Sequence, residues 1–183
     1  MAVEIRRYDP ADELAVLGIL GAGLRAQTRY AAQVSPPEDA GFFEREWAAC
    51  VAALHGKPGD WWVATDGGEI AGVLWLEQTA DLFVPYHTVQ QIAVREARRG
   101  EGIGRAMLAF AERHARDAGS MVLMIGGLAS NPAMALYRRL GFEDVPESYR
   151  EEDNPNHVLL WKRFRPGRSD LLSTDDTDFT ETE

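Results

Sequence analysis

Residues 99–105 read Arg-Gly-Glu-Gly-Ile-Gly-Arg, between an extended, β-rich run at 88–95 and a helical pattern at 104–117. Three alternating glycines at a strand-to-helix turn let the backbone approach a ligand closely. They also leave successive N–H groups unpaired at a helix start, where the helix dipole favours an anion. A phosphate group fits such a site. The dinucleotide fingerprint needs glycine at 100, 102 and 105, but position 105 is Arg105, and the Gly-Lys-Ser/Thr ending of a Walker loop is absent. Taken alone, the stretch is either a phosphate cradle of another kind or a structural turn.

Working outward, 3–8 alternates apolar and charged residues as a short strand does, and Asp9-Pro10 breaks it. Leu14, Leu17, Leu20 and Leu24 predict a helix over 11–25 that Gly18, Gly21 and Gly23 weaken. A loop rich in Pro and Ser is expected to run to Pro37. Phe43, Trp47, Cys50, Val51 and Leu54 form one helical stripe over 42–54, ended by Gly56 and Pro58. The β-rich runs 61–65 and 69–78 flank an Asp66-Gly67-Gly68 turn. Beyond the glycine stretch, Met107, Leu108, Phe110, Ala111, His114 and Ala115 give 104–117 an apolar face, and Gly119 closes it. The apolar run 121–128 suits a strand covered on both faces, and 132–140 a short helix capped by Ser130 or Asn131. Two last strands, 142–149 and 158–163, flank an Asp153–Asn156 turn, and Trp61, Trp62 and Trp161 are expected in the core. The order β, α, α, β, β, β, α, β, α, β, β describes an α/β (α+β) domain with a mixed sheet and helices on both faces.

With Ile92-Ala93-Val94 before it, the stretch Arg99, Gly102, Gly104 resembles the signature of the GCN5-related N-acetyltransferases: Arg or Gln, two residues, Gly, one residue, then Gly or Ala. Their second signature, Leu-Tyr on a short helix followed by Gly-Phe, is similar to Leu136, Tyr137, Gly141 and Phe142. The resemblance implies a mostly antiparallel sheet of about seven strands, splayed between the strand ending at Val94 and the strand 121–128. It also implies acetyl transfer from acetyl-CoA, without a metal, directly to a primary amine in a ternary complex. In that scheme the pyrophosphate lies on the backbone of Arg99, Gly100, Glu101, Gly102, Ile103 and Gly104, and the pantetheine runs along Ile92, Ala93 and Val94 as an added strand. A backbone N–H near Ile92 or Val94 holds the thioester oxygen, and Tyr137 protonates the leaving thiolate. Arg98, Arg99 and Arg105 are expected phosphate partners.

Three positions depart from the family pattern. The residue seven before the tyrosine, often a cofactor-holding Asn, is Ser130, with Asn131 one place later, so either is a candidate. Glu96 stands where Pro is frequent. Gln90 and Gln91 stand where an acid often meets the amine. An ammonium must lose a proton before it can attack. Glu77, in phase with Val73 and Trp75 at a strand end, is the candidate base; His87 or a water chain is the alternative. The missing acids also leave open a non-catalytic acyl-CoA sensor of the same fold, and a third reading makes the loop a site for another phosphorylated ligand. Segments 27–37 and 81–87, with Tyr30, Phe83, Tyr86 and Asp81, are expected to shape the acceptor pocket.

The 183 residues carry a net charge of −10, and six carboxylates without a Lys or Arg lie in 169–183. Residues 1–166 are therefore expected to form one domain and 167–183 an acidic, disordered tail. An acidic body argues against nucleic acid, which needs a basic stripe. The lone Cys50 excludes a disulfide framework and makes a reducing, cytoplasmic location the default. The longest uncharged run, 118–137, contains Gly119, Gly126, Gly127, Asn131 and Pro132, so no membrane span is expected. The partner expected is a small-molecule or peptide amine, with a homodimer as the default assembly.

Overall fold

The computed structural model describes residues 3–31, 41–80, 85–146 and 157–164. Its elements follow the order read from the sequence: β1 Glu4–Arg7, α1 Glu13–Ala31, α2 Phe42–Gly56, β2 Trp61–Asp66, β3 Glu69–Ala80, β4 Pro85–Val94, α3 Ile103–Asp117, β5 Val122–Leu128, α4 Ala133–Arg139, β6 Glu143–Asp144 and β7 His157–Arg163. One seven-stranded sheet runs in the order β1-β2-β3-β4-β5-β7-β6, antiparallel throughout except for the β4–β5 pair. The expected mixed sheet is therefore the observed one. The predicted tail and the Asp153–Asn156 turn lie outside the described residues. No helix among those residues is long and apolar enough to cross a membrane.

The sheet separates two cores. Residues of alternate parity along β3 choose between them: Val73 and Trp75 pack with Val16, Leu20, Leu24 and Leu54 of α1 and α2, whereas Leu74 and Leu76 pack with Met107, Leu108 and Ala111 of α3. Trp61 is fully buried, but Trp62 and Trp161 are only half-buried. The stripe on α3 is buried as its spacing requires, and Gly119 at φ +77° ends that helix.

Helix α1 runs six residues past its predicted end. Of the three glycines that weakened the prediction, Gly18 faces open space, and Gly21 and Gly23 are places of close approach. A Cβ on Gly21 would lie 3.3 Å from the Trp47 ring of α2, and one on Gly23 would lie 3.2 Å from Ala93 Cβ on β4. Tertiary packing thus overrides a propensity cost of about 1 kcal/mol per glycine. Of the strand expected over 142–149, the described residues show Glu143–Asp144, paired with Trp161 and Leu160 of β7, and 147–149 lie outside the described residues.

Expected on a loop near the site, His87 lies instead inside β4, 2% exposed, with Nδ1 2.7 Å from Ser120 Oγ and its ring 5.6 Å from that of His114. Burial, with His114 beside it, lowers its pKa from 6.5 to about 4. His114 shifts in the same direction, chiefly by burial, with Arg7 lowering and Asp117 raising it. The folded chain therefore keeps His87 neutral, while an unfolded chain takes up the proton below pH 6.5. Stability is lost as the pH falls from 6.5 towards 4, by about 3 kcal/mol from this group. Urea unfolding at pH 7 and pH 4.5 should show that loss in the native chain and much less of it in His87→Asn; equal losses would contradict the assignment.

Candidate active site

The parallel pairing of β4 with β5 runs from Tyr86 opposite Val122 to Val89 opposite Ile125 and stops there. Beyond it the two strands diverge. β4 stays paired on its other side, with Ile92, Ala93 and Val94 opposite Leu74, Val73 and Gly72. The backbone edge of 90–94 that faces β5 is thus left without a strand partner. A bulge sits at the same point: Trp75 pairs with Gln91 and Leu76 with Val89, so Gln90 is the extra residue.

The fork opens into a cavity of about 640 Å³. Gln90 to Val94 form one wall and Ile125 to Leu128 the other. Gln27, Tyr30, Phe42 and Glu46 of α1 and α2 close one end, and Arg99, Gly104, Asn131 and Tyr137 the other. At that second end, Gly100 and Gly102 take φ +84° and +85°, a region that side-chain-bearing residues enter at a cost. Gly102 is the N-cap of α3 and supplies no side-chain hydrogen bond to it, so the first N–H groups of this helix point out of its start. The loop is pinned from outside. Arg98 Nη2 lies 2.5 Å from Asp66 Oδ2 at the β2–β3 turn, and its Nε donates to Glu101 Oε2 at 2.7 Å.

The remaining sequence candidates fall in distinct places. Tyr137 is 7% exposed and lines the cavity, and burial pushes its phenol up to about 12. Asn131 also lines it; its Oδ1 accepts the Ala133 N–H at 2.9 Å, although the N-cap of α4 is Pro132 rather than Asn131. Ser130 does not line the cavity, and its hydroxyl donates to the Tyr30 carbonyl at 2.9 Å, tying the start of α4 to α1. Arg99 is on the wall, whereas Arg98 is engaged as above. Arg105 lines a separate depression of about 70 Å³ with Glu112 and Lys162. The side chain of Ile103 is buried in the core.

Glu77 faces α2, in phase with Val73 and Trp75, but is not on the cavity wall. It is ion-paired with Lys57 and accepts from Gln90 Nε2 at 3.0 Å. His87 is likewise off the wall. The expected acceptor residues Asp81 and Phe83 lie outside the described residues. The sequence reading missed Phe42, Glu46 and His157 on the wall. For His157 the signal was the Gly126-Gly127 pair: glycine inside an apolar strand marks close approach by something else.

A family model for the acetyltransferase (GNAT) domain matches residues 57–144. N-acetyltransferase 8 of Mus musculus is 32% identical over 103 residues, which is 55% of this chain and 43% of the mouse protein. The chain thus spans less than half the length of this curated relative. Among solved structures, the PaiA N-acetyltransferase of Thermoplasma acidophilum, in complex with coenzyme A, superposes with a TM-score of 0.62 at 15% identity, covering 90% of this chain and all of that one. The ribosomal-protein-alanine N-acetyltransferase of Brucella melitensis gives 0.58 at 24% identity, over 88% and 99% of the two chains. The matched acetyltransferase (GNAT) domain spans the β4–β5 fork and the glycine loop, and the solved structures share the fold, in agreement with the resemblance of the two motifs to the GCN5-related N-acetyltransferases.

Proposed function

We propose that the protein is an N-acetyltransferase that moves acetyl from acetyl-CoA directly to a primary amine in a ternary complex. The observation that carries this reading is the fork: an unpartnered backbone edge at 90–94 lines one cavity together with the start of α3 and Tyr137. The coenzyme A in the Thermoplasma relative's structure supports the same cosubstrate here.

In this reading the pyrophosphate lies on the N–H groups of Arg99 to Arg105, where Glu101, Ile103 and Arg105 contribute backbone only and Arg99 also its guanidinium. Pantetheine pairs with Ile92, Ala93 and Val94 as an added strand, in the manner of an extended peptide on a sheet edge. Asn131, on the wall, holds the cofactor; Ser130 acts indirectly, through Tyr30. A backbone N–H near Ile92 or Val94 meets the thioester oxygen as it becomes negative, the kind of contact that supplies about 3 kcal/mol in comparable sites. Tyr137 holds its proton at every physiological pH and gives it to sulfur. A phenol at about 12 is a weaker acid than an ordinary thiol near 8.5, so this transfer accompanies C–S cleavage rather than preceding it. Glu77, as base, would act through water past Gln90.

Thiol release from acetyl-CoA should appear with at least one member of a panel of small amines, peptides and aminoglycosides. Acetyl-CoA binding by calorimetry with silence across that panel would favour the sensor reading instead, which Gln90 and Gln91 on the wall support. Tyr137→Phe should lower kcat by about 10- to 100-fold and leave acetyl-CoA affinity within about twofold; unchanged turnover would remove Tyr137 from the acid role. Valine at position 102 must enter a strained backbone region at a cost of about 1–3 kcal/mol. Gly102→Val should therefore weaken acetyl-CoA binding by about tenfold or more in calorimetry, and retained affinity would contradict the cradle.

A further inference from the structure

We infer that His157 is the base that takes the proton from the acceptor ammonium, working from the face of the fork opposite Tyr137. The inference rests on the transferase reading above. His157 opens β7, pairs with Leu128 at the far end of β5, and lines the cavity. Its imidazole lies directly on Gly126. A Cβ at that glycine would come within 2.6 Å of His157 Cε1 and 3.0 Å of Nε2, so the ring occupies this place only because residue 126 has no side chain. Gly126 is also the first residue of β5 past Ile125, where pairing with β4 ends. The imidazole therefore sits at the throat of the fork.

Strand geometry fixes which face this is. The missing side chain of Gly126 points to His157 and Leu159, and that of its neighbour Gly127 points the other way, to Met134 and Asn131 around α4. Tyr137 belongs to α4. On β4, Ala93 meets Gly23 of α1 while Val94 meets Gly104 of α3. One face thus carries α3, α4 and the phenol, and the other carries α1, α2 and the imidazole. An amine that reaches the thioester from the α1 and α2 face meets His157 on its way.

The protons balance. The ammonium gives one proton to the His157 imidazole, which is exposed and returns it to water. The freed amine forms the N–C bond, the C–S bond breaks, and sulfur takes the Tyr137 proton. Nitrogen passes its second proton to the imidazole, freed again by water, as the amide forms, and the phenol is restored from solvent. Imidazole suits this because its charge changes between pH 5 and 8. A base on the cavity wall makes the longer route to Glu77, behind Gln90, unnecessary.

The test compares the native chain with His157→Gln, which alters an exposed side chain, and Gly126→Ala, which pushes the ring aside. The acceptor is whichever panel amine gives the fastest thiol release. In both variants kcat/KM near neutral pH should fall by about 100-fold and the gap should narrow as the pH rises towards the amine's own pKa, with acetyl-CoA affinity by calorimetry unchanged in His157→Gln. A pH profile parallel to that of the native chain in His157→Gln, or full activity in Gly126→Ala, would overturn the inference while leaving the transferase intact. A native chain that binds acetyl-CoA and acetylates nothing would instead overturn the reading on which it rests.

Discussion

Everything about the site follows from one interruption of hydrogen bonding. Parallel strands β4 and β5 hold each other for four residues on each strand and then part, although β4 keeps its antiparallel partner β3 to the end. A sheet edge inside a domain is normally paired or covered, because an unsatisfied backbone group in a dry place costs about 1–3 kcal/mol. Here the edge opens on a cavity instead, and a chain-like ligand with alternating amide groups is what such an edge accepts. The Gln90 bulge and the two glycines of β5 belong to the same feature: one bends β4 at the parting point, and the others thin β5 where a ligand and a side chain must fit.

The helices are placed by this arrangement as much as by their own sequences. α3 begins at the mouth of the fork and its apolar stripe fixes it to β3 and β4, so its N–H groups are aimed before any ligand arrives. Such preorganisation lowers the entropy cost of binding. Arg98 serves the same end by tying the loop to the β2–β3 turn, a role that the spacing of Arg98, Arg99 and Arg105 did not distinguish from phosphate contact.

Much of this was legible in the sequence. The element order and the mixed sheet stand as expected, because period-2 and period-3.6 patterns and the glycine punctuation carry that information locally, and the splay stands as the family resemblance implied. The parts that were not legible depend on contacts distant in sequence. Gly21 and Gly23 look like helix breakers until Trp47 and Ala93 are seen against them. His87 looks like a loop residue until Ser120 and His114, about thirty positions away, enclose it. Glu77 was correctly phased on its face, yet Lys57 and Gln90 occupy it, and no periodicity reports a partner on another element. His157 was not singled out, standing one place before the strand expected at 158–163, since only the three-dimensional neighbour Gly126 gives it a place on the cavity wall.

The central claim is that the open edge of β4 is where the cosubstrate is bound. Amide hydrogen exchange of the native chain, with and without saturating acetyl-CoA, tests this residue by residue. The account predicts new protection confined to 90–94 and 99–105, as the backbone there gains partners, with little change in β1, β2 or α2. Protection elsewhere with these two segments unaltered would contradict it.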